Sequence, residues 1–194
     1  MLITTKDNIK ALLGSNSSTN DDLLLEAFAL SVSAAVEKYI ARGVETTERT
    51  EYHDVEAGQS YFLLKAYPVD TAESIAVYND SGRTFGTALG SSNYTVLGDL
   101  GELSIDGYSL IDGPRVLKVV YTGGLAATQE ALEAAYPDIE MAARIQGAAW
   151  FERRKSLSTA SVSVAGSSVS VGGELDFLPQ VKSLLVQHRR DSYA

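Results

Sequence analysis

Apolar residues first recur at helical spacing. Ile9, Leu12 and Leu13 fall at i, i+3 and i+4 within Thr5 to Leu13, which predicts a short helix with one apolar face. Thr4 or Thr5 stands at the cap position, Asp7 lies in the first turn, and Gly14 supplies the stop. After the polar stretch Ser15 to Asn20, Thr19 or Asn20 caps a longer helix that runs to about Arg42, before Gly43. Asp21 and Asp22 lie at its positive end. Leu25, Phe28, Val32, Val36 and Tyr39 step by three or four and form its core stripe.

The pattern then changes period. Glu45 to Glu56 mixes Thr with charged residues, as an exposed or edge strand does, and Ser60 to Lys65 is a stronger strand closed by Pro68. Ser74 to Tyr78 is followed by the turn Asn79-Asp80-Ser81-Gly82. Asn93 to Leu97 and Glu102 to Ile105 flank Gly98-Asp99-Leu100-Gly101, and Val116 to Tyr121 is the clearest strand, with Lys118 between apolar neighbours, ending at Thr122-Gly123-Gly124. Turn residues at such short intervals suit a small antiparallel sheet joined by hairpins.

Helical spacing returns at Gln129 to Ala135, and Pro137 opens a second segment running to about Lys155. Ile139, Ala142, Ala143, Gln146, Ala149 and Trp150 share one side of it, and Gly147-Ala148-Ala149 would admit a close helix neighbour. Ser161-Val162-Ser163-Val164 and Ser168-Val169-Ser170-Val171 alternate about Gly166, as in a two-stranded ribbon. A lone hairpin is marginal in water, so this one is expected to order against something else. Phe177 to Arg190 reads as a last amphipathic helix with Val181, Leu184, Leu185 and His188 on one face. The fold class is therefore α+β: a helical bundle with an inserted small antiparallel β-sheet and a C-terminal β-ribbon plus helix. Residues 1–155 form a core (helices 5–13, 19–42 and 129–155, β insertion about 45–122), and 156–194 form a docking arm. There is no internal repeat and no second domain by this reading.

Composition narrows the function. Hydrophobic residues make up 45% and charged residues 21% of 194, so a globular core is within reach. The balance of 25 acidic against 16 basic residues, net −9, gives no footprint for tight nucleic-acid binding. It remains compatible with a polyanion that slides past. The absence of cysteine removes disulfides, thiolate catalysis and Cys-ligated zinc. The first residues lack a signal pattern and no apolar run nears the roughly 20 residues of a membrane span, so a soluble protein made in the cytoplasm, without membrane contact, is expected.

Catalytic spacing is missing. His53 and His188 are the two histidines; His53 is expected as an exposed strand residue and His188 as a packing or interface residue. Asp99, Glu102, Asp106 and Asp112 miss the spacing of a calcium loop and read as turn residues that cap their own backbone. Gly98-Asp99-Leu100-Gly101 lacks the G-K-[ST] of a phosphate loop, and Thr122-Gly123-Gly124 reads as a connector. No cofactor or metal is implied. Arg153, Arg154, Lys155 and Arg189, Arg190 complement helix ends, and the ribbon they bracket is a candidate docking surface for an acidic partner.

The order of segments resembles the head–tail connector (adaptor, head-completion) proteins of tailed bacteriophages. The resemblance is carried by Val36-Glu37-Lys38-Tyr39-Ile40-Ala41-Arg42-Gly43, Leu63-Leu64-Lys65-Ala66-Tyr67-Pro68-Val69, Ser74-Ile75-Ala76-Val77-Tyr78 and Val119-Val120-Tyr121-Thr122-Gly123-Gly124. Further along it is carried by Pro137-Asp138-Ile139-Glu140 with Ala142 and Ala143, by Trp150-Phe151-Glu152-Arg153-Arg154, and by Val181-Lys182-Ser183-Leu184-Leu185 with Arg189-Arg190. Leu125 to Tyr136 is longer than the family's usual Gly-to-Pro connection. The resemblance implies a structural subunit and not an enzyme. It would sit at the virion's head–tail junction after assembly in the bacterial host cytoplasm, in a ring of about a dozen copies. That ring would bind beneath the portal protein, extend the DNA channel, meet passing DNA only transiently without sequence-specific binding, and receive a downstream neck or tail protein. Arg153, Arg154, Lys155, Val162, Val164, Val169, Val171, Lys182, His188, Arg189 and Arg190 are the partner-interface residues expected on this reading. Another neck or tail-completion role, and a hydrolase using a spread carboxylate pair, are the alternatives.

Overall fold

The computed structural model describes residues 1–14, 19–73, 75–154, 161–164, 167–170 and 176–190. The chain divides into two compact units, Met1–Ile40 with Gln129–Ala194 and Ala41–Thr128. The α+β class expected from the sequence is met.

The first unit is helical. α1 (Lys6–Leu13) begins where the Thr5 side chain accepts the Asn8 N–H, and it ends at Gly14 with φ 69°, a left-handed closure that glycine adopts without a Cβ penalty. Its inward face is narrower than expected: Ile9 is buried and Leu13 packs beside it, but Leu12 is 48% exposed. α2 (Asp22–Ile40) buries Leu25, Ala29, Val32, Val36 and Ile40. It stops two residues before the expected end, because Ala41 turns to φ 52°. α3 (Gln129–Ala135) leads into α4 (Pro137–Arg153), where Pro137 takes the first-turn position that needs no N–H.

α4 packs against α1, α2, α3 and α5 (Pro179–Leu185) and so forms the axis of this unit. A Cβ on Gly147 would lie 2.7 Å from Ile9 Cδ1 and 3.7 Å from Val32 Cγ1, so the missing side chain is what lets α1 and α2 approach. The expected helix 177–190 is shorter. Leu178 is extended (ψ 147°) before Pro179, as a residue preceding proline prefers, and a 3-10 turn, Val186–His188, follows α5. Buried Gln146 of α4 clamps this segment: its amide donates to Asp176 O (3.3 Å) and accepts Leu178 N–H (2.9 Å). Trp150 stacks on Phe177, with Tyr39 edge-on to the same ring. β7 (Ser161–Val164) and β8 (Ser167–Ser170) pair antiparallel, Val162 opposite Val169; Val171, assigned to the second ribbon strand from the sequence, lies outside the described residues.

The second unit holds two three-stranded antiparallel sheets, not the single sheet expected. β1 (Thr47–Val55), β6 (Gly113–Gly123) and β3 (Ala76–Asn79) run in the order β1-β6-β3; β2 (Tyr61–Leu63), β5 (Glu102–Ile105) and β4 (Tyr94–Leu97) run in the order β2-β5-β4. One core, including Phe62, Leu64, Val77, Leu103, Leu117, Val119 and Tyr121, draws from both. β1 is an edge strand, as its Thr and charged residues predict. At the end of β6 the backbone is crossed closely from two sides. A Cβ on Gly123 would lie 2.4 Å from Ala66 O, and one on Gly124 (φ 144°) 2.3 Å from Glu45 O. The connector reading of Thr122-Gly123-Gly124 is thereby explained.

Candidate interaction surfaces

Most of the basic residues expected to meet a partner have contacts within the helical unit. The Arg154 guanidinium lies 3.3 Å over the Phe151 ring, donates to Phe151 O (2.6 Å) and pairs with Asp21 (3.3 Å). Lys182 pairs with Asp176 at 2.6 Å, Arg189 lies 5.8 Å over Tyr39, and Arg190 N–H donates to Ile40 O. Arg153 is exposed in the last turn of α4. Lys155 lies outside the described residues, as do the side chains of Val162, Val164 and Val169.

His188 is a packing residue. Its Nε2 meets Asp138 Oδ2, which also accepts from Gln187, while the Tyr136 ring stands edge-on to the imidazole. Burial works against the Asp138 carboxylate, yet the His188 hydrogen bond and charge, with the Ile139 N–H, hold it below the usual carboxylate range. This clasp ties the 3-10 turn to the first turn of α4.

His53 departs from expectation. It is only 17% exposed in its side chain, lies edge-on to Phe62 (5.7 Å), and its Nε2 is 3.5 Å from Glu51 Oε2 without a hydrogen bond. Burial pushes the imidazole pKa down, against the pull of the Glu51 charge. β1 alternates, so Arg49, Glu51, His53 and Val55 turn to the covered side while Thr50, Tyr52 and Asp54 turn to solvent. Glu51 accepts the Lys65 N–H (3.1 Å) and the hydroxyl of Tyr121, whose oxygen accepts the Ala66 N–H (3.0 Å). Burial, then this carboxylate, raises the Tyr121 pKa well above the usual phenol value.

Three aspartates of the sheet unit, Asp54, Asp80 and Asp106, bind their own surroundings. Asp106 accepts from Thr95 and Ser104 hydroxyls, and Asp54 accepts the Arg115 N–H at 2.7 Å. Asp80 accepts from Thr84 Oγ1 (2.6 Å) and from the Phe85, Gly82 and Thr84 N–H groups, which together hold its pKa at about 2. Among the described residues no group of three or more His, Cys, Asp or Glu side chains is placed to hold a metal ion. None of the described helices is long and apolar enough to cross a membrane.

The sequence reading missed the solvent face of β1-β6-β3. Tyr52, Lys118 and Tyr78 stand in one row across the three strands. Phe85, carried over by the loop that Asp80 organises, packs against Tyr52 (5.6 Å) and Tyr78 (6.5 Å). Lys118 Nζ lies 4.9 Å from the Tyr78 ring and the Arg115 guanidinium 4.8 Å from the Tyr52 ring. Arg83 anchors beside them through Pro114 O (2.9 Å). Arg83, Phe85 and Arg115 all have φ between 51° and 55°, a region that costs non-glycine residues and that collects at functional sites. One signal was available in the sequence: Lys118 interrupts the most apolar strand.

The fold is shared with chains from structures of GTA particles. A chain in a structure described as the neck of an empty GTA particle computed with C6 symmetry superposes with a TM-score of 0.64 at 17% identity, covering 97% of this chain and 89% of that one. A chain from the neck of the native GTA particle computed with C12 symmetry gives 0.59 at 15% identity (97% and 92% covered). One from the virion of the native gene transfer agent particle gives 0.60 at 15% identity (97% and 88% covered). The protein belongs to the head completion protein family, whose model matches residues 2–191. A structural role in completing the head goes with that membership. No curated protein matches the chain.

Proposed function

We propose that this protein is a non-enzymatic ring subunit that attaches beneath the portal, extends the DNA channel and offers a docking surface to the next neck or tail protein. The observation that carries this reading is the family match over residues 2–191. The shared fold with chains from necks computed with C6 and C12 symmetry supports a cyclic assembly. An acidic chain, net −9, lining a channel would repel the DNA backbone instead of trapping it. We assign portal contact to the segment 156–194, with the ribbon as its centre. Because α5 buries Val181 and Leu185 in the helical unit, removing the whole segment would remove core. Replacing residues 158–173 by a Gly-Ser linker leaves α5 in place. Native mass spectrometry of wild type and this variant, with and without portal protein, tests the reading. The wild type is expected as a ring on the portal and the variant as unbound protein. Undiminished portal binding by the variant refutes the assignment of the arm, and no association of wild type with portal refutes the connector role.

A further inference from the structure

The ring reading leaves open which surfaces join neighbouring copies, and the second unit presents two that complement each other. Between Ala41 and Thr128 there are twelve Asp and Glu against six Lys and Arg. Three of those six cations, Arg83, Arg115 and Lys118, converge on the solvent face of β1-β6-β3 around Tyr52, Tyr78 and Phe85. They form no ion pair among the described residues, although the protein around them is acidic. Rigid aromatics flanked by guanidinium groups are the side chains most enriched at the centres of protein interfaces. The Asp80 carboxylate accepts four hydrogen bonds from Gly82, Thr84 and Phe85, which braces the loop that carries Arg83 and Phe85 onto this face.

The opposite chemistry lies at the tip of the β4–β5 hairpin. Leu97 and Leu100 are 53% and 54% exposed with Asp99 between them. Asp99 also forms no ion pair among the described residues. Val69 N–H donates to Gly98 O (2.9 Å), so the tip is braced, and Val69 itself bridges to Gly123 at the far end of β6. Lys118 lies five positions before that bridge along β6, roughly 17 Å at a strand's rise. A ring closes through heterologous contacts, which require two different complementary patches on every copy.

We infer that the Leu97–Asp99–Leu100 tip of one copy seats on the Tyr52–Phe85–Lys118 face of the next, the leucines against the aromatic rings and Asp99 among the three cations. This rests on the ring reading above. The partner is a second copy because the face is cationic within an acidic chain, and the same chain carries the apolar, acidic tip that matches it.

The chain has no cysteine, so an engineered disulfide reports the contact directly. A full-length double variant, Arg115→Cys with Leu97→Cys, is expected to give a ladder of covalent dimers and higher species on oxidation. A control double variant with Leu23→Cys in place of Arg115→Cys is expected to give none. Arg83→Glu with Arg115→Glu should weaken self-association at least tenfold in sedimentation velocity, and adding Asp99→Arg should restore it, which a merely misfolded variant could not do. If wild type forms rings but the double-cysteine variant gives no ladder and the charge reversal leaves assembly unchanged, this inference falls while the ring reading stands. If charge reversal weakens DNA retention alone, the face belongs to nucleic acid and the inference is equally overturned. If wild type forms no ring, free or on portal, both readings fall together.

Discussion

Tyr121→Phe removes one oxygen from the core of the sheet unit and breaks two hydrogen bonds at once. Tyr121 is fully buried; its hydroxyl donates to the Glu51 carboxylate and accepts the N–H of Ala66, itself fully buried. A hydrogen bond to a charged group contributes about 1.5–3 kcal/mol, and a buried N–H left without an acceptor costs about 1–3 kcal/mol. Glu51 keeps the Lys65 N–H as a donor, so the two contributions do not add in full. We expect a loss of about 2–4 kcal/mol, measured by urea denaturation followed by circular dichroism. Hydrogen exchange localises it: the Ala66 amide should lose its protection by more than the remaining amides of the unit. The phenol's raised pKa adds a second readout. The unfolded chain releases this proton near the ordinary value of 10.0 while the folded one holds it, so folded protein binds more protons at alkaline pH. This contribution to stability is therefore complete below about pH 10 and is lost as pH rises beyond it, and Tyr121→Phe should flatten that limb. A loss below about 0.5 kcal/mol with unchanged Ala66 protection would refute the reasoning.

His53 governs part of the acid side. Its folded pKa lies below the ordinary 6.5, so the unfolded chain binds more protons and stability falls as pH drops below 6.5; His53→Gln should flatten urea midpoints over that window. Gly124→Ala should destabilise the sheet unit severely, since φ 144° and the 2.3 Å approach to Glu45 O both exclude a Cβ; loss of cooperative melting or of soluble expression is the expected outcome, and a wild-type melt would contradict it. Glu140 is 2% exposed and accepts from Thr4, Asn8 and Arg144. Glu140→Ala removes the acceptor of Thr4 and Asn8 and leaves Arg144 only its 3.5 Å pairing with Glu133; it should cost about 2–4 kcal/mol, read from the fluorescence of the single tryptophan, Trp150, which lies in the same unit.

Elements set by local chemistry were legible from the sequence. The Thr5 cap, the Gly14 stop, the Pro137 start and the Gln129–Ala135 helix stand where spacing and capping put them, because those signals act within a turn or two of chain. The order of helix, sheet and helix came from the same local grammar, while the family came from the resemblance of segments such as Val119-Val120-Tyr121-Thr122-Gly123-Gly124 and Pro137-Asp138-Ile139-Glu140. What sequence could not assign was burial across long separations. Leu12 fits the helical stripe but faces solvent, and His53 looks like an exposed polar strand residue but lies against Phe62. Which side of a strand or helix is covered depends on a partner element many residues away. The same reason hid the division of the strands into two sheets, a matter of β6 pairing with both β1 and β3. It also hid the aromatic and cationic face, whose members come from positions 52, 78, 83, 85, 115 and 118. Local spacing determined the elements of this protein; only the tertiary structure, by pairing strands far apart in the chain, decided which residues it buries and which it gathers on a solvent face.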